Sequence, residues 1–183
     1  LIDRCFRHQL AKHLDGIVTF SNAETIFGEK TIRISNGIDF DAIPMKQSQN
    51  DTSHELHLIG VAEVHYWHGF DRMVNGMAEY YRTNPNYKVY FHIIGPLSGE
   101  REREEILPVV RNNHLEPYVI MHGPLHGEEL DIQFERADFA IGSLGRHRSG
   151  ITYIKTLKNR EYAARGFAFT YSEMDEDFDS MPY

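Results

Sequence analysis

The sequence predicts an α/β fold, in which a parallel β-sheet carries helices on both faces. After about residue 54, short apolar runs typical of strands alternate with longer segments whose apolar residues recur at helical spacing. Strands separated by helices of this length imply right-handed crossovers and a parallel sheet. With 41% hydrophobic and 25% charged residues in 183, the chain can also bury a substantial core.

The strands and helices of this main part follow from the apolar pattern. The strands are predicted at 56–62, 88–94, 118–121, 138–144 and 167–171, and the helices at 70–81, 99–112, 127–137 and from 156 to a stop at Gly166. Proline lacks the N–H that a helix interior uses, so Pro108 is expected to kink or restart its helix.

The first part of the chain has a different pattern. Phe6, Leu10 and Leu14 lie at helical spacing, and strands are predicted at 17–20 and 31–34. The polar run that follows predicts a linker. We therefore divide the chain into a remnant of another domain (1–43), a linker (44–53) and a main domain (54–183).

Two loop sequences in the main domain are near copies. Residues 95–100 read Gly-Pro-Leu-Ser-Gly-Glu, residues 123–128 read Gly-Pro-Leu-His-Gly-Glu, and each follows a predicted strand. Their separation is about one βα unit, so both loops should lie at the carboxyl edge of the sheet. Ligands of open α/β sheets bind at that edge.

Composition excludes several classes of protein. A formal net charge of −8 argues against non-specific nucleic-acid binding, so no nucleic-acid partner is expected. The single cysteine, Cys5, excludes an internal disulfide and is typical of a reducing compartment. No apolar run reaches the roughly 18 residues of a membrane span. Because the chain begins at Leu1, we interpret it as a piece of a longer protein.

The segment 156–169 is the strongest candidate for a binding site. Lys158 and Glu161 are three positions apart, so they share a helix face near its start. A cation and free backbone N–H groups at a helix N-terminus suit a phosphate, and a carboxylate can accept hydrogen bonds from both hydroxyls of a ribose. The alternative is a surface ion pair that contacts no ligand.

The same segment resembles a known family. Leu-Lys-x-Arg-Glu-Tyr-x-Ala-Arg-Gly at 157–166, followed by an apolar strand, resembles the nucleotide-sugar end of retaining GT-B glycosyltransferases of the glycogen synthase-like superfamily. Asn36-Gly37-Ile38-Asp39 resembles the end of the N-terminal domain of that family. The resemblance implies that 54–183 is the C-terminal, Rossmann-like donor-binding half of a GT-B fold.

The resemblance also implies roles for particular residues. Glu161 would bind the ribose of the donor, and Lys158 would meet its diphosphate. The glycine-containing loop after the first main strand would contact the donor at Gly60, His68 and Gly69. Its usual arginine and lysine are replaced by Glu63 and His68. His122 and Gly123 would lie beside the base, and Ser143 near base and phosphates. Plain loop or turn roles are the alternatives for these residues.

The loop 142–150 is glycine-rich and carries three basic side chains. Backbone N–H groups and arginine forks in such a loop make an anion site. The family has a glutamate in this region, but Tyr153 stands at the expected spacing, and a longer local segment leaves Arg148 or Ser149 as the counterpart. We assign the donor-binding cation to Arg148, which would replace the cation missing at Glu63.

Other chemistries lack a matching pattern. No zinc-ligand spacing occurs among the eleven histidines, which are interpreted as surface residues, and no metal site is expected. The Ile141–Gly145 run has the wrong spacing for a serine nucleophile elbow. The acidic run 173–179 is interpreted as a solvated loop, with cation binding as its alternative.

The implied function is transfer of a sugar from a nucleotide-sugar to an acceptor hydroxyl, in polysaccharide or glycolipid synthesis, without a cofactor or metal. The acceptor would be a glycan or a lipid-linked molecule, and acceptor-side catalytic residues would lie outside this chain. A cytoplasmic location, or peripheral association with the cytoplasmic face of a membrane through the missing part, is expected. The alternatives are a non-catalytic nucleotide-binding module, favoured by Glu63 and the absent glutamate, and a nucleotide-sugar epimerase of GT-B fold.

Overall fold

A computed structural model describes residues 2–178 of the chain. The chain divides into two compact units between Gly37 and Ile38. Each unit is described here by itself.

The first unit is a small α/β unit. Helix α1 spans Ile2–Ala11, and three short strands follow: β1 (Ile17–Thr19), β2 (Thr25–Ile26) and β3 (Glu29–Arg33). Strand β3 lies in the middle, parallel to β1 and antiparallel to β2. The predicted helix and strands of this part are confirmed, whereas β2 was not predicted. Many apolar side chains of the unit are exposed, namely Phe6, Leu10, Leu14, Val18, Phe20, Ile32 and Ile34.

The second unit contains five strands and four helices among the described residues. The strands are β4 (Glu55–Val61), β5 (Lys88–Ile94), β6 (Val119–Gly123), β7 (Phe139–Ile141) and β8 (Phe169–Thr170). The helices are α2 (Phe70–Arg82), α3 (Glu100–Asn112), α4 (Gly127–Arg136) and α5 (Leu157–Ala164). Each predicted element is present, although β7 and β8 are shorter than predicted. Pro108 lies inside α3, and the helix does not restart there.

The five strands form one sheet in the order β6-β5-β4-β7-β8, and every pair is parallel. The register places Leu58 of β4 opposite Phe91 of β5 on one side and Phe139 of β7 on the other. The chain moves outward from β4 to β6 and then crosses back to β7. This reversal leaves β4 central, and the predicted doubly covered parallel sheet is confirmed.

Side chains on the two faces of the sheet build two cores. On one face, Leu58, Phe91 and Ile93 pack with residues of α2 and α3, such as Val74 and Ile106. On the other face, the cluster comprises Ile59, Ile94, Phe134, Ala137, Ala140, Tyr162 and Phe167, from the sheet, α4, α5 and adjoining segments. Alternation along β4 therefore sends successive side chains into different cores, as a strand buried on both faces requires.

The predicted linker residues make hydrogen bonds within the second unit. The Gln47 N–H donates to Glu135 Oε1 at 3.0 Å, and Asn50 Nδ2 donates to Asp138 Oδ1 at 2.8 Å. The Lys46 ammonium also donates to the Glu135 carbonyl. These bonds connect the polar segment to the end of α4 and the start of β7.

The two near-copied loops lie together at the carboxyl edge of the sheet, as predicted. The Gly95 N–H donates to the Gly123 carbonyl at 2.8 Å. Gly95 has a φ of +113°, and a Cβ there would lie 1.9 Å from the Ala62 carbonyl oxygen. Only glycine allows the loops to approach this closely.

Within residues 2–178, every helix is too short or too polar to span a lipid bilayer.

Candidate functional site

Two loops at the carboxyl edge of the sheet contact each other and frame the candidate site. One joins β4 to α2 (residues 62–69), and the other joins β7 to α5 (residues 142–156). The Leu144 N–H donates to the His68 carbonyl at 2.7 Å. Gly69 has a φ of +66°, and a Cβ there would lie 2.5 Å from the Gly145 nitrogen. Glycine at 69 therefore supports both the turn and the contact between the loops.

Lys158 lies in the first turn of α5 and reaches back to the end of β7. Thr156 caps the helix by accepting from the Asn159 N–H at 3.4 Å. Lys158 Nζ donates to Ser143 Oγ at 3.3 Å, and it lies 5.8 Å from the centre of the Phe70 ring. Burial, with the nearby Arg146 charge, lowers the pKa of Lys158 to about 8, against the opposing effect of Glu173. The contact brings together Lys158 and Ser143, each of which was predicted separately to lie near the donor phosphates.

Arg146 is a second cation at this place, and the sequence analysis missed it. Arg146 is the first residue of a 3-10 helix, Arg146–Ser149, and it is only 8% exposed. Its Nε atom is buried without a hydrogen-bond partner among the described residues. Its guanidinium lies 6.0 Å from the centre of the Trp67 ring. The signal in the sequence was the basic run 146–148, but spacing alone did not distinguish Arg146 from Arg148.

Arg148 lies in a different contact. Its guanidinium donates to both carboxylate oxygens of Asp71, at 2.7 and 2.8 Å, and to the Tyr66 carbonyl at 3.1 Å. The Asp71 carboxylate raises the pKa of Arg148. This bidentate pair joins the β7–α5 loop to the first turn of α2. Arg148 is thus paired with Asp71, whereas the charge of Arg146 contributes to lowering the pKa of Lys158.

His68 lies between these loops as a neutral imidazole. Burial lowers the pKa of His68 to about 3, with further contributions from Lys158, Arg146 and His65. Its Nδ1 accepts from the His65 N–H at 2.9 Å, so the remaining proton of the neutral ring is on Nε2. His68 is therefore a neutral N–H donor, whereas the lysine that it replaces in the family would carry a charge.

Glu161 is bound by Arg165, one turn further along the chain. Its carboxylate accepts from Arg165 Nε at 2.9 Å, and Arg165 also pairs with Asp131 of α4 at 2.8 Å. Lys158 and Glu161 therefore do not meet each other. Leu157 is exposed while Tyr162 and Ala164 are buried, so the buried side of α5 does not include Leu157.

His122 is the end of a row of histidines across three strands. His57 Nδ1 lies 2.9 Å from His92 Nε2, and His92 Nδ1 lies 2.9 Å from His122 Nε2. The row begins beside Glu55, whose Oε1 lies 3.3 Å from His57 Nε2. The interpretation of the histidines as surface residues is therefore wrong for His57 and His92, which are partly buried and bonded to each other.

Two other residues of the β4–α2 connection have packing roles. A Cβ at Gly60 would lie 2.7 Å from the Phe70 ring, so glycine there allows α2 to pack closely on β4. Glu63 accepts from Ser98 Oγ at 3.1 Å, and its Oε1 lies 3.7 Å from His65 Nε2. These contacts direct Glu63 toward the loop after β5.

The interpretation of the acidic run as a solvated loop is wrong for its first part. Glu173 is 5% exposed and Asp175 is 1% exposed. Asp175 accepts from both terminal nitrogens of Arg160, at 2.9 and 3.3 Å, and Asp177 also pairs with Arg160. The charge pattern did not reveal that α5 carries the arginine that these acids bind. The part of the run beyond residue 178 lies outside the described residues.

The site that results is a patch of positive charge. Within residues 2–178, neither Lys158 nor Arg146 forms an ion pair with a carboxylate. The Ser143 hydroxyl and the His68 N–H add neutral donors beside them. A part-buried and a buried cation with neutral donors beside them suit a multiply charged oxyanion such as a phosphate or diphosphate. In the part of the chain described, no group of three or more His, Cys, Asp or Glu residues is arranged to hold a metal ion.

Comparisons with known proteins identify the fold. No protein-family model matches the chain, and no curated protein matches its sequence. Among solved structures, the sucrose-phosphate synthase of Thermosynechococcus elongatus matches with a TM-score of 0.59 and 16% identity over 89% of this chain and 42% of that chain. The lipopolysaccharide outer core galactosyltransferase WaaB matches with 0.54 and 14% over 86% of this chain and 43% of that one.

A third solved structure, the pneumococcal O-GlcNAc transferase GtfA in complex with UDP and GlcNAc, matches with a TM-score of 0.52 and 16% identity over 97% of this chain and 32% of that one. The chain therefore spans less than half the length of these three proteins. Likeness at this level of identity shows the fold. The five-stranded parallel sheet flanked by helices is that of a GT-B glycosyltransferase domain.

Proposed function

We propose that this chain is the donor-binding part of a glycosyltransferase that moves a sugar from a nucleotide-sugar to an acceptor hydroxyl. The observation that carries the proposal is a pair of cations at the carboxyl edge of the sheet, the part-buried Lys158 and the buried Arg146. Lys158 donates to the buried Ser143 hydroxyl, and Arg146 has a buried Nε without a partner among the described residues. A cation withdrawn from water that forms no ion pair with a carboxylate is costly unless an anion binds it.

The anion is the diphosphate of the donor. Lys158 stands in the first turn of α5, where backbone N–H groups and the helix dipole also favour negative charge. Arg146 supplies a guanidinium that can donate two parallel hydrogen bonds to phosphate oxygens. The neutral His68 adds its Nε2–H. Together these donors stabilise the charge that develops on the diphosphate as it leaves, without a bound metal.

The other predicted donor contacts remain part of the proposal. Glu161 holds the ribose, for which it must exchange its contact with Arg165 or share it. His122 and Gly123 lie at the end of β6, where the resemblance places the base. Gly69 keeps the two loops together, and Gly60 keeps α2 close to β4. We assign the diphosphate contact to Arg146 ahead of Arg148, because Asp71 already binds Arg148.

The finer parts of the function are also proposals. Retention at the anomeric carbon and the glycogen synthase-like subtype rest on the resemblance of 157–166. The product is a polysaccharide or glycolipid, the acceptor is a glycan or lipid-linked molecule, and the reaction takes place in the cytoplasm or at its membrane face. Acceptor groups lie in the part that the longer structural neighbours have in addition, so we expect this chain to turn over little donor by itself.

Nucleotide titration tests the proposal. We expect isothermal titration calorimetry to detect UDP binding, with GDP and ADP titrated in parallel to identify the base. UDP is the first probe because the pneumococcal neighbour was solved with it. Lys158→Met and Arg146→Met should each weaken binding by about 10- to 100-fold, the value of a charge-assisted hydrogen bond. Arg82→Met, which removes an exposed charge at the end of α2, is the matched control.

Four results would contradict parts of the proposal. Equal affinity in Lys158→Met and the wild type would remove the diphosphate site. A loss of binding in Arg148→Ala but not in Arg146→Met would return the role to Arg148. Binding of a nucleotide-sugar by a chain as long as the structural neighbours, without release or isomerisation of the sugar, would instead identify a non-catalytic module. An isomerised nucleotide-sugar as product would identify an epimerase.

A further inference from the structure

Glu173 is a buried acid that the proposed chemistry does not use. It follows β8, and the backbone on both sides of it is bonded to the β7–α5 loop. The Ser172 N–H donates to the Ser143 carbonyl at 2.8 Å, and the Met174 N–H donates to the Thr152 carbonyl at 2.8 Å. Glu173 is therefore held at a defined position between the two ends of the loop that frames the site.

The carboxylate of Glu173 contacts the first turn of α5. Its Oε1 accepts from Asn159 Nδ2 at 3.1 Å, and Asn159 is completely buried. A Cβ at Gly142 would lie 3.0 Å from Asn159 Oδ1, so the asparagine fits closely between Gly142 and Glu173. Asn159 follows Lys158 directly, and the contact therefore fixes the turn that presents the lysine.

We infer that Glu173 is a positioning residue of the donor site, which acts through Asn159 and Lys158. It holds the first turn of α5 by its hydrogen bond to Asn159. It also places a carboxylate against the turn of α5 that carries Lys158. The inference rests on the proposed donor site, and it adds a residue from the acidic segment to that site.

The charges around Lys158 come from three places in the fold. Glu173 acts from the segment after β8, and Arg146 acts from the β7–α5 loop. The neutral imidazole of His68 belongs to the β4–α2 loop. The charge of Lys158 is one of the causes that lower the pKa of His68. Ser143 adds a hydroxyl and Phe70 an aromatic face. Glu173 is thus the acid that opposes both burial and Arg146.

The sign of the effect follows from these contributions. Burial and Arg146 lower the pKa of Lys158 to about 8, and Glu173 raises it toward the ordinary value. Removal of the Glu173 charge must lower that pKa further. The ammonium would then lose its proton closer to neutral pH, and a diphosphate would lose its partner there.

The test is the titration of Lys158 in the Glu173→Gln variant of the whole chain without nucleotide. The Cε resonance of Lys158 is followed by NMR against pH and is assigned by its loss in Lys158→Arg. We expect the Lys158 pKa to fall by about one unit in Glu173→Gln, as for the loss of a nearby opposite charge. Glu173→Asp should restore part of the shift. Glu79→Gln, at an exposed acid of α2, should leave the Lys158 pKa unchanged.

A second measurement needs no variant. In the wild-type chain, the Glu173 Cδ resonance should show a step at the pH where Lys158 loses its proton, because the two charges act on each other. This keeps the inference testable if Glu173→Gln does not fold. An unchanged Lys158 titration in a folded Glu173→Gln variant, or the absence of that step in the wild type, would overturn the inference.

UDP titrations from pH 6.5 to 9 separate this inference from the proposed function. If both are correct, the pH at which UDP affinity falls moves down by about one unit in Glu173→Gln. If the Lys158 pKa shifts but UDP does not bind, Glu173 still positions Lys158 and the donor-site proposal fails. If UDP binds with the same pH profile in both chains, the role of Glu173 fails and the donor site stands.

Discussion

His68 and His92 show how burial changes the chemistry of single residues in this protein. Burial is the largest cause that lowers the pKa of His68 to about 3 and that of His92 to about 4. His57, His122 and Arg136 add to the effect at His92. Both rings are therefore neutral at pH 7 and serve as hydrogen-bonding groups. The same burial makes stability depend on pH, because an unfolded histidine binds a proton near pH 6.5.

We expect the free energy of unfolding to fall as the pH is lowered from about 6.5 toward 4. Below 6.5 the unfolded chain binds protons that folded His68 and His92 do not, so protons favour unfolding. Each histidine contributes at most about 1.4 kcal/mol per pH unit, and less after screening by solvent. Urea unfolding at several pH values measures the slope.

The variant His92→Phe isolates one contribution to this pH dependence. It keeps a ring on β5 but removes the titrating group. The difference in free energy of unfolding between the wild type and His92→Phe should therefore decrease as the pH falls. His13→Asn, at an exposed position in the first unit, is the control. Parallel curves for the wild type and His92→Phe would contradict a lowered His92 pKa.

At the scale of the element, α2 and α5 owe their positions to contacts at their first turns. Helix α2 begins at Gly69, which lies against Gly145, and Asp71 in its first turn binds Arg148. Helix α5 is held by Asp175, which binds Arg160, and by Glu173, which binds Asn159. The first turns of both helices are therefore held by contacts with other segments of the chain, and α5 presents Lys158 from such a turn.

Gly69, which caps α2, and Gly76, which lies inside α2, provide a matched pair of variants. Gly69→Ala should destabilise the protein by about 2 kcal/mol or more, because it strains a positive φ and meets the Gly145 backbone. It should also weaken UDP binding by separating the loops. Gly76→Ala, in the exposed interior of α2 with open space around it, should stabilise by about 0.5–1 kcal/mol. Chemical denaturation measures both, and equal effects would contradict this account of Gly69.

At the scale of the whole molecule, the two units differ in what they bury. Both hydrophobic cores consist of residues from the second unit. In the first unit, large apolar side chains such as Phe6, Leu10 and Val18 are at least half exposed. A unit of 37 residues lies below the roughly 40 residues at which a domain commonly folds without other support.

We therefore expect residues 38–183 to fold when expressed alone and residues 1–37 not to do so. The larger fragment should show one cooperative thermal transition and helical circular dichroism close to that of the same residues in the whole chain. The smaller fragment should show the spectrum of an unfolded peptide. A cooperative transition in residues 1–37, or its absence in 38–183, would contradict this division.

The sequence by itself determined the elements and the class of fold. Alternating apolar runs predicted β4 and β5 closely, and the repeated Gly-Pro-Leu loops predicted the shared edge of the sheet. These features depend on local periodicity and on turn chemistry, which are encoded in neighbouring residues. The segment 157–166 likewise predicts Lys158 as a site residue.

Only the tertiary structure decided which side chains meet. Arg146 and Arg148 are two positions apart and have the same charge, yet Asp71 binds one while the other lies near Lys158. The acidic run predicts a solvated loop from its charge, whereas in the structure Asp175 is paired with Arg160 of α5. Such pairings join residues that are distant in sequence, and they depend on the exact angle at which loops and helices pack. No local pattern carries that information, because burial and the partner of a charge are properties of the assembled sheet edge.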